Sequence, residues 1–428
     1  MSPNPEDVFT PATPVQEDMF AARRHADLED RVNLALAQLG RQVVLYGDTG
    51  VGKTSLVWHL ARTRKFCMER VECGSPFDDL MAEAVSLVEP RRETGRSDSE
   101  ATHLEAGVGL PGGIAKGGAK TDRGTTTETR PIGRSAAAEM IDALERHHVD
   151  VLFLDNFENV NTASHRYQTA HSIAQLLKSL ADRAADGKQH LKVVVAGIPE
   201  ASESLVALDD ATARRTAQIE VPRMPDIELD QILARGEKKL GISFGGLARH
   251  MILAYSDGFP YYTHLLALHS SRRSLSDGRR QVDLADFDAA LDEILADCDL
   301  QIRTSYMRAV ETTGEVRIRK SILEAIALYN EVEVTFKAIR EGFLQLHPSY
   351  QTTARLNFLS TAIHPLKDQY GVLNDRGLPK SKRNLYRFTN PLMRAYVRLR
   401  ARQEQGAARG FWDPSANTFT TDTPTTTS

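Results

Sequence analysis

The chain has 428 residues and a mass of 47.4 kDa, more than one hydrophobic core usually supports, so two or three domains are expected. It contains 41% hydrophobic and 26% charged residues and no run of about 18 apolar residues, which excludes a membrane-spanning protein. The N-terminus lacks the basic start and apolar stretch of a secretory signal, so we expect a cytoplasmic location. The three cysteines have no C-x-x-C spacing and are predicted to be buried free thiols: Cys67, Cys73 and Cys298.

The net charge of -4 is distributed unevenly along the chain. Residues 301–402 carry 18 Lys and Arg against 8 Asp and Glu, a net charge of +10. Residues 1–300 carry 34 Lys and Arg against 46 Asp and Glu, a net charge of -12. The overall charge argues against a nucleic-acid partner, but the basic segment makes such a partner a hypothesis to examine.

The first half of the chain alternates between strand and helix patterns. Residues 1–19 are rich in Pro, Asp and Glu and are predicted to be extended; a helix follows from Leu28 to Leu39 and ends at Gly40. Short apolar runs typical of buried parallel strands occur at residues 42–47, 149–155, 190–197 and 218–221. A helical pattern at residues 172–185 lies between two of them. This alternation predicts a doubly wound α/β domain with a parallel sheet over residues 20–222.

The remaining segments outside the basic region show other patterns. Residues 89–135 are rich in glycine and threonine and are predicted to form a flexible insertion. The insertion contains a G-x-G-x-x-G match at Gly107, Gly109 and Gly112, but no strand precedes it, so we interpret it as part of the loop. Residues 223–300 are helical throughout and predict a helical lid. Residues 403–428 are predicted to be a disordered tail.

One motif identifies a phosphate site. The segment Gly47–Thr54, GDTGVGKT, matches the P-loop pattern G-x-x-x-x-G-K-[ST] and lies between a predicted strand and a predicted helix. In such a loop, backbone N–H groups surround the β-phosphate, Lys53 reaches the β- and γ-phosphates, and the Thr54 hydroxyl binds Mg²⁺. The candidate nucleotide-binding residues are Gly47, Asp48, Thr49, Gly50, Val51, Gly52, Lys53, Thr54 and Ser55.

A P-loop also requires an acidic residue at the end of a neighbouring strand. The run VLFLD places Asp155 there as the second Mg²⁺ residue. The next position, where many ATPases have a glutamate that polarises water, is Asn156. Glu158 is the nearest carboxylate that could act as the base, with a surface role as the alternative.

Two further positions concern the γ-phosphate. The fourth predicted strand ends at Ala196 and Ile198, which cannot serve as a polar γ-phosphate sensor. Arg214 and Arg215 precede the last strand, where an arginine could reach a γ-phosphate in cis or across a subunit interface. A solvated arginine pair is the alternative.

The P-loop, the segment LDNFE at residues 154–158, the paired arginines and the segment SDGFP at residues 256–260 together resemble an AAA+-type ATPase. The similarity is to the origin-recognition and cell-division-control (ORC/CDC6-like) initiators and to the STAND NTPases. It implies an α/β P-loop NTPase domain, a helical lid and a C-terminal winged helix, with ATP and Mg²⁺ as ligands. It assigns Lys53, Thr54 and Asp155 to the phosphates and metal, and Arg215 to an arginine finger.

The resemblance also assigns the lid turn and shows where the chain departs from the initiators. Gly258 and Pro260 match the G-x-P motif of the STAND branch, which packs near the nucleotide. Asn156 replaces the usual glutamate, and Phe259, Pro260 and Tyr261 stand where initiators have an arginine; both departures favour a nucleotide-gated switch with slow hydrolysis. Tyr261, Tyr262 and His264 are expected to pack in the helix core, with adenine contact as the alternative.

The basic segment has the pattern of a winged helix. Three predicted helices at residues 321–329, 335–346 and 352–363 precede two strands at 370–373 and 385–388, and a closing helix covers 391–402. The strands enclose a basic tip. A third helix in the major groove and this tip on phosphates would bind double-stranded DNA, and the candidate residues are Thr353, Arg355, Lys380, Lys382 and Arg383.

The sequence therefore predicts an ATPase that couples ATP binding and hydrolysis to double-stranded DNA binding. The alternative is a STAND-like signalling or defence NTPase whose winged helix docks protein partners. In either case, an ATP-dependent homo-oligomer or a protein partner is expected beside the nucleotide.

Overall fold

The computed structural model of the chain describes residues 3–89, 135–162, 166–185, 190–207, 210–311, 317–352, 357–375, 385–405, 411–413 and 418–420. The predicted glycine-rich insertion lies outside these residues except for its two end positions, 89 and 135. In the part of the chain that the structure describes, no helix is long and apolar enough to cross a membrane.

A five-stranded parallel sheet forms the centre of the nucleotide domain. Its strands are β1 (Gln42–Tyr46), β2 (Met68–Glu72), β3 (Val151–Asp155), β4 (Lys192–Gly197) and β5 (Thr216–Glu220), in the order β2-β3-β4-β1-β5. Successive residues of β1 join two different hydrophobic clusters, Val43 and Leu45 in one and Val44 in the other, so both faces of the sheet are covered. The predicted α/β fold is confirmed, but β2 was not predicted.

Helices surround this sheet. They are α2 (Leu28–Ala37), α3 (Lys53–Arg64), α4 (Phe77–Val88), α5 (Ala136–Arg146), α6 (Glu158–Thr162), α7 (Arg166–Ala185), α8 (Pro199–Ala207) and α9 (Asp210–Arg215). A short first helix, α1 (Pro5–Val8), packs against the lid instead. The N-terminal segment is not simply extended, because it contains α1 and a 3-10 turn at Glu17–Met19. Its Phe9 is buried against Gly236, where an added Cβ would lie 2.1 Å from the Phe9 Cζ. The segment was misjudged because its apolar residues are few and are buried against a distant part of the chain.

The lid is helical, as predicted, apart from one pair of two-residue strands. Its elements are α10 (Asp226–Leu240), β6 (Ser243–Phe244), α11 (Gly246–Ser256), α12 (Pro260–Ser276), β7 (Gln281–Val282), α13 (Leu284–Ala289) and α14 (Leu291–Asp297).

The C-terminal module, residues 300–405, has the element order expected of a winged helix. It contains α15 (Leu300–Val310), α16 (Ile318–Ala327), β8 (Val334–Thr335), α17 (Phe336–Leu346), α18 (Asn357–His364), β9 (Leu373–Asn374), β10 (Leu385–Phe388) and α19 (Met393–Gln405). The three strands form one sheet in the order β8-β10-β9. Beyond it, β11 (Phe411–Asp413) and β12 (Thr418–Thr420) pair antiparallel, so the prediction of a wholly disordered tail is wrong for these residues.

The three regions pack against one another through one hydrophobic cluster. The cluster contains Leu56 of α3, Leu265 of α12 and Tyr396 of α19. Cys73 and Cys298 are buried free thiols, as predicted, whereas Cys67 is exposed. The prediction for Cys67 is wrong because this residue lies in the turn between α3 and β2.

Candidate nucleotide site

The loop between β1 and α3 requires glycine at defined positions. A Cβ at Gly47 would lie 2.3 Å from the Val221 carbonyl oxygen, so a side chain there would displace β5 or the loop. Gly52 has a φ of +92° and immediately precedes Lys53, the first residue of α3. The loop therefore directs the N-terminus of a 12-residue helix toward the loop interior, which is a favourable environment for an anion.

Lys53 is held against the loop itself. Its side chain is largely buried, with 8% of the residue exposed, and its Nζ donates hydrogen bonds to the carbonyls of Gly47 (2.7 Å) and Asp48 (3.0 Å). Burial lowers the pKa of Lys53, an effect that the nearby carboxylates, Glu158 foremost, oppose. The ammonium is thus positioned by backbone dipoles in a site that favours an anionic ligand.

Asp155 and Thr54, the two predicted metal residues, are brought together. Asp155 ends β3 with 1% exposure, and its Oδ2 accepts hydrogen bonds from Thr54 Oγ1 (2.9 Å) and Arg70 Nε (2.9 Å). A buried carboxylate and a hydroxyl that converge in this way are oxygen ligands suited to Mg²⁺, which usually retains several waters. The residues present therefore fit the implied metal.

The positions after Asp155 have distinct roles. Asn156 adopts a left-handed conformation with a φ of 55°, and its side chain donates to Glu72 Oε1 at 2.9 Å. Glu158 begins α6, and its Oε2 accepts from the backbone N–H of Ile198 at 3.3 Å. Glu158 is therefore tied to the end of β4, and both residues line the same cavity as Lys53.

This cavity has a volume of about 260 Å³ and lies between the P-loop, the N-terminal segment and the lid. Its lining includes Thr10–Val15, Thr49, Gly50, Gly52, Lys53, Thr54, Ser55, Arg70, Pro260, Tyr261 and His264. His264 is buried, and its Nδ1 accepts a hydrogen bond from the Thr10 backbone N–H at 3.2 Å. Burial lowers the pKa of His264 to about 4, so the ring is neutral. Tyr262 packs in the core, whereas Tyr261 and His264 also border the cavity.

The predicted lid motif lies at the edge of this cavity. Gly258 has a φ of +81°, and a Cβ there would lie 2.7 Å from the Arg223 Cβ. Its carbonyl accepts the Met224 N–H at 2.9 Å, and Pro260 then begins α12 and lines the cavity. The turn therefore joins the lid to the segment that follows β5.

The structure does not bring Arg214 or Arg215 to the P-loop of the same chain. Thr216 of β5 pairs with Gln42 at the start of β1, so both arginines lie at the opposite end of the parallel sheet. Arg215 Nη2 pairs with Asp182 Oδ1 at 2.7 Å, and Arg214 is exposed. Neither arginine can reach the γ-phosphate in cis from this position, so the alternatives are a contact across a subunit interface and a solvated arginine pair.

Arg23, which the sequence did not indicate as a candidate, binds the P-loop through a backbone carbonyl. Its Nη1 donates to the Val51 carbonyl at 2.8 Å, and its Nη2 donates to the Pro222 carbonyl at 2.6 Å. A salt bridge to Glu228 at 3.3 Å completes this buried arrangement. The N-terminal segment thereby fixes the P-loop to the lid.

A second set of charges connects the P-loop to the C-terminal module, and we name it the charged bridge: Asp48, Arg223, Asp257, Arg394 and Arg398. Arg223 Nε donates to Asp48 Oδ2 at 3.1 Å, and its Nη1 donates to Asp257 Oδ2 at 3.0 Å. Arg394 binds both oxygens of Asp257 at 2.7 and 2.8 Å, and Arg398 reaches the same carboxylate at 3.2 Å. Burial lowers the pKa of Arg398 to about 9.

An apolar contact reinforces the charged bridge. A Cβ at Gly50 would lie 3.2 Å from Leu392 Cδ2, and the Leu392 carbonyl accepts the Tyr262 hydroxyl at 3.0 Å. A cavity of about 330 Å³ lies beside this contact, bordered by Asp48, Arg387 and Arg394. The C-terminal module is therefore seated directly on the nucleotide-binding loop.

The five candidate DNA-binding residues, Thr353, Arg355, Lys380, Lys382 and Arg383, lie outside the described residues. Other cations of the C-terminal module pair with acids elsewhere in the chain. Arg402 binds Asp288 of the lid at 2.6 and 2.9 Å, and Arg387 pairs with Glu200 of α8 at 3.0 Å.

The sheet, the P-loop and the paired Thr54 and Asp155 define a P-loop NTPase with a helical lid. The family model of Novel STAND NTPase 1 matches residues 10–294, and the chain therefore belongs to that family. This finding confirms the expected resemblance to STAND-type P-loop ATPases. No curated protein sequence matches the chain significantly.

Solved structures resemble the chain over most of its length. A Walker-type ATPase of Pyrococcus abyssi is similar with a TM-score of 0.51 and 16% identity, covering 89% of this chain and 96% of the other. The ORC1 protein of Aeropyrum pernix in complex with DNA gives a TM-score of 0.45 and 13% identity, covering 93% and 96%. Cdc6p of Pyrobaculum aerophilum gives 0.44 and 15%, covering 92% and 97%. The first of these likenesses supports the fold.

Proposed function

We propose that the protein is an ATP-binding, Mg²⁺-dependent nucleotide switch with slow ATPase activity, in which the C-terminal module responds to the state of the P-loop. The observation that carries this proposal is that one loop, the P-loop, borders the phosphate cavity and also contacts the C-terminal module. Lys53 and Thr54 line the cavity for the phosphates, while Gly50 and Asp48 of the same loop contact the C-terminal module or the charged bridge.

In this proposal, Lys53 and the N-terminus of α3 bind the phosphates, and Thr54 and Asp155 would hold Mg²⁺. The metal would neutralise charge on the phosphate oxygens and orient them. Glu158 is the candidate base for the attacking water, because it borders the cavity and is oriented by the Ile198 N–H. Asn156 cannot accept a proton from water, which favours slow hydrolysis.

The route from nucleotide to C-terminal module passes through the charged bridge. A bound phosphate gives the backbone N–H groups of the P-loop new partners, and the loop must adjust around Gly50. Any shift of Asp48 changes its ion pair with Arg223, which shares Asp257 with Arg394 and Arg398. When one member of this cluster moves, the ion pairs cannot all be maintained at once. The C-terminal module would therefore have two discrete arrangements, one in contact with the P-loop and one released from it.

Nucleotide binding is tested with Lys53→Ala and a fluorescent ATP analogue. We expect the variant to lose detectable binding, since it removes the cation that contacts the β- and γ-phosphates. Lys65→Ala is the matched control, because Lys65 caps the far end of the same helix. Full retention of ATP affinity in Lys53→Ala would overturn the assignment of the site.

Double-stranded DNA is a second candidate partner, favoured by the net charge of +10 over residues 301–402. The test measures affinity across a salt series with ADP and with a slowly hydrolysed ATP analogue. Neutralising Lys380, Lys382 and Arg383 together should weaken binding and reduce its salt dependence. Equal DNA affinity of the wild type and this variant would show that the basic tip does not bind DNA.

A protein partner or a second copy of the chain is the competing outcome. Size-exclusion chromatography with the same two nucleotides measures assembly directly. ATP-dependent assembly without DNA affinity would favour the signalling role. An arginine finger acting across the subunit interface would then predict that Arg215→Ala reduces hydrolysis but not assembly.

A further inference from the structure

Arg70 lies in the phosphate site without belonging to the P-loop or to the acidic motif. It is on β2, beside Phe153 of β3, and its side chain extends to the carboxyl end of β3. Its Nε donates to Asp155 Oδ2 at 2.9 Å, the same oxygen that accepts the Thr54 hydroxyl. With 35% of its side chain exposed, Arg70 also borders the cavity that contains Lys53.

Apart from Lys53 and Arg70, the described residues around this cavity provide no cation for the terminal phosphate. The end of β4 offers Ala196 and Ile198, and the lid turn offers Phe259 and Pro260. Arg215 is at the other end of the sheet, and Arg223 is engaged by Asp48 and Asp257 outside the residues that line this cavity. Among the described residues that line the cavity, the lysine and arginine side chains are Lys53 and Arg70.

Asp155, the ion-pair partner of Arg70, is also the carboxylate that would bind Mg²⁺. A buried carboxylate such as Asp155 needs a compensating charge, and Arg70 supplies it in this structure. Once Asp155 and Thr54 hold Mg²⁺, the carboxylate no longer needs the guanidinium. The Arg70 guanidinium would then be a planar fork of N–H donors beside the phosphates, a geometry that matches phosphate oxygens bidentately.

We propose that Arg70 is the γ-phosphate-binding residue of this site and acts within its own chain. It neutralises Asp155 when no triphosphate is present, and it binds the terminal phosphate oxygens when a nucleoside triphosphate and Mg²⁺ occupy the cavity. A diphosphate lacks those oxygens, so Arg70 has no terminal phosphate to bind when ADP occupies the cavity. Arg70 thereby makes the site distinguish ATP from ADP. This inference rests on the proposed nucleotide-binding function.

The test compares the affinities for ADP and for a slowly hydrolysed ATP analogue at fixed Mg²⁺, in the wild type and in Arg70→Ala, Arg70→Gln and Arg70→Lys. Loss of a charge-assisted hydrogen bond should lower the affinity for the triphosphate by about 10- to 150-fold in Arg70→Ala and Arg70→Gln. We expect the affinity for ADP to change by less than about 3-fold in Arg70→Ala and Arg70→Gln, because ADP does not contact Arg70 in this scheme. Arg70→Lys should fall between these variants and the wild type, since it retains the charge without the fork.

Arg64→Ala is the control, because Arg64 is an exposed arginine of α3 that bonds Asn33 and lies away from the cavity. An equal loss of affinity for both nucleotides in Arg70→Gln would overturn the inference, because it would show that Arg70 only orders Asp155. Unchanged affinity for both would also overturn it. Absence of nucleotide binding in the wild type would instead refute the proposed function. If Arg70→Ala fails to fold, Arg70→Gln and Arg70→Lys still provide the comparison.

Discussion

The P-loop and the C-terminal module differ in whether a sequence motif indicates the partners of their charged residues. Lys53 and Thr54 follow β1 and Asp155 ends β3, with β4 between these two strands, and two short motifs indicate their purpose. Three of the four arginines of α19 (Arg394, Arg398 and Arg402) pair with acids more than a hundred positions away, Asp257 and Asp288, and no short motif indicates these pairs. A local motif therefore predicts chemistry well, whereas the net charge of a segment does not predict the charge of its surface.

This difference changes the meaning of the charge contrast along the chain. The basic segment and the acidic remainder partly neutralise each other inside one molecule, since Arg387, Arg394, Arg398 and Arg402 all pair with acids outside residues 301–402. Part of the contrast thus holds the C-terminal module on the nucleotide domain and lid. Only the cations that remain can serve an external partner.

The largest effect is expected from Asp257→Asn, which breaks the charged bridge at its centre. The substitution leaves Arg394 and Arg398 buried without their carboxylate, and removing one partner of a buried ion pair costs about 3–5 kcal/mol. Urea unfolding of the full chain measures the loss, and limited proteolysis detects release of α19. Asp277→Asn, which loses only an exposed pair with Arg279, is the control. A loss below about 1 kcal/mol in Asp257→Asn would show that these charges do not seat the C-terminal module.

The next effect concerns pH and the attachment of the N-terminal segment. Burial depresses the pKa of His264 from 6.5 to about 4, so below the higher value the unfolded chain binds a proton that the folded chain does not. Stability is full above about pH 6.5 and falls toward about pH 4, by up to about 3 kcal/mol. His264→Asn offers an acceptor to the Thr10 N–H but cannot titrate. The stability difference between wild type and this variant should shrink on acidification; a constant difference would contradict the buried neutral ring.

A smaller effect is expected from Arg402→Gln. Arg402 binds Asp288 through two hydrogen bonds and lies beside the rings of Tyr255 and Phe287. We expect a loss of about 1–2 kcal/mol in urea unfolding, because the pair is partly buried and bidentate. Lys337→Gln removes an exposed i,i+4 pair with Glu341 in the same module and should cost less than about 0.5 kcal/mol. Equal losses in the two variants would contradict a role for Arg402 in docking.

The elements that the sequence predicted share one property: their signal is local. The three inner strands, β1, β3 and β4, are continuous apolar runs because both of their faces are buried, and Lys53, Thr54 and Asp155 follow from short motifs. Strand β2 was missed because it is an edge strand whose sequence, MERVE, is mostly charged. Arg70 was missed with it. Strand order could not be deduced from periodicity, so its proximity to Asp155 was not foreseeable.

Arg223 and Arg215 illustrate the same limit. Both flank β5, but Arg223 follows its carboxyl end, beside the P-loop, and Arg215 precedes its amino end. The polarity of a parallel sheet would have favoured Arg223, because ligand sites of such sheets lie at the carboxyl ends of the strands. The N-terminal segment was misjudged because the burial of Phe9 depends on Gly236, which is remote in sequence.

The central claim, that the C-terminal module is seated on the P-loop and responds to nucleotide, is tested most directly by a distance measurement. Cys67 is an exposed native thiol, whereas Cys73 and Cys298 are buried, so Lys337→Cys on α17 completes a spin-label pair between the nucleotide domain and the module. We predict that a slowly hydrolysed ATP analogue with Mg²⁺ shifts the distance distribution relative to ADP, and that Lys53→Ala abolishes the shift. Identical distributions with the two nucleotides in the otherwise wild-type chain, under conditions where both are bound, would contradict the account.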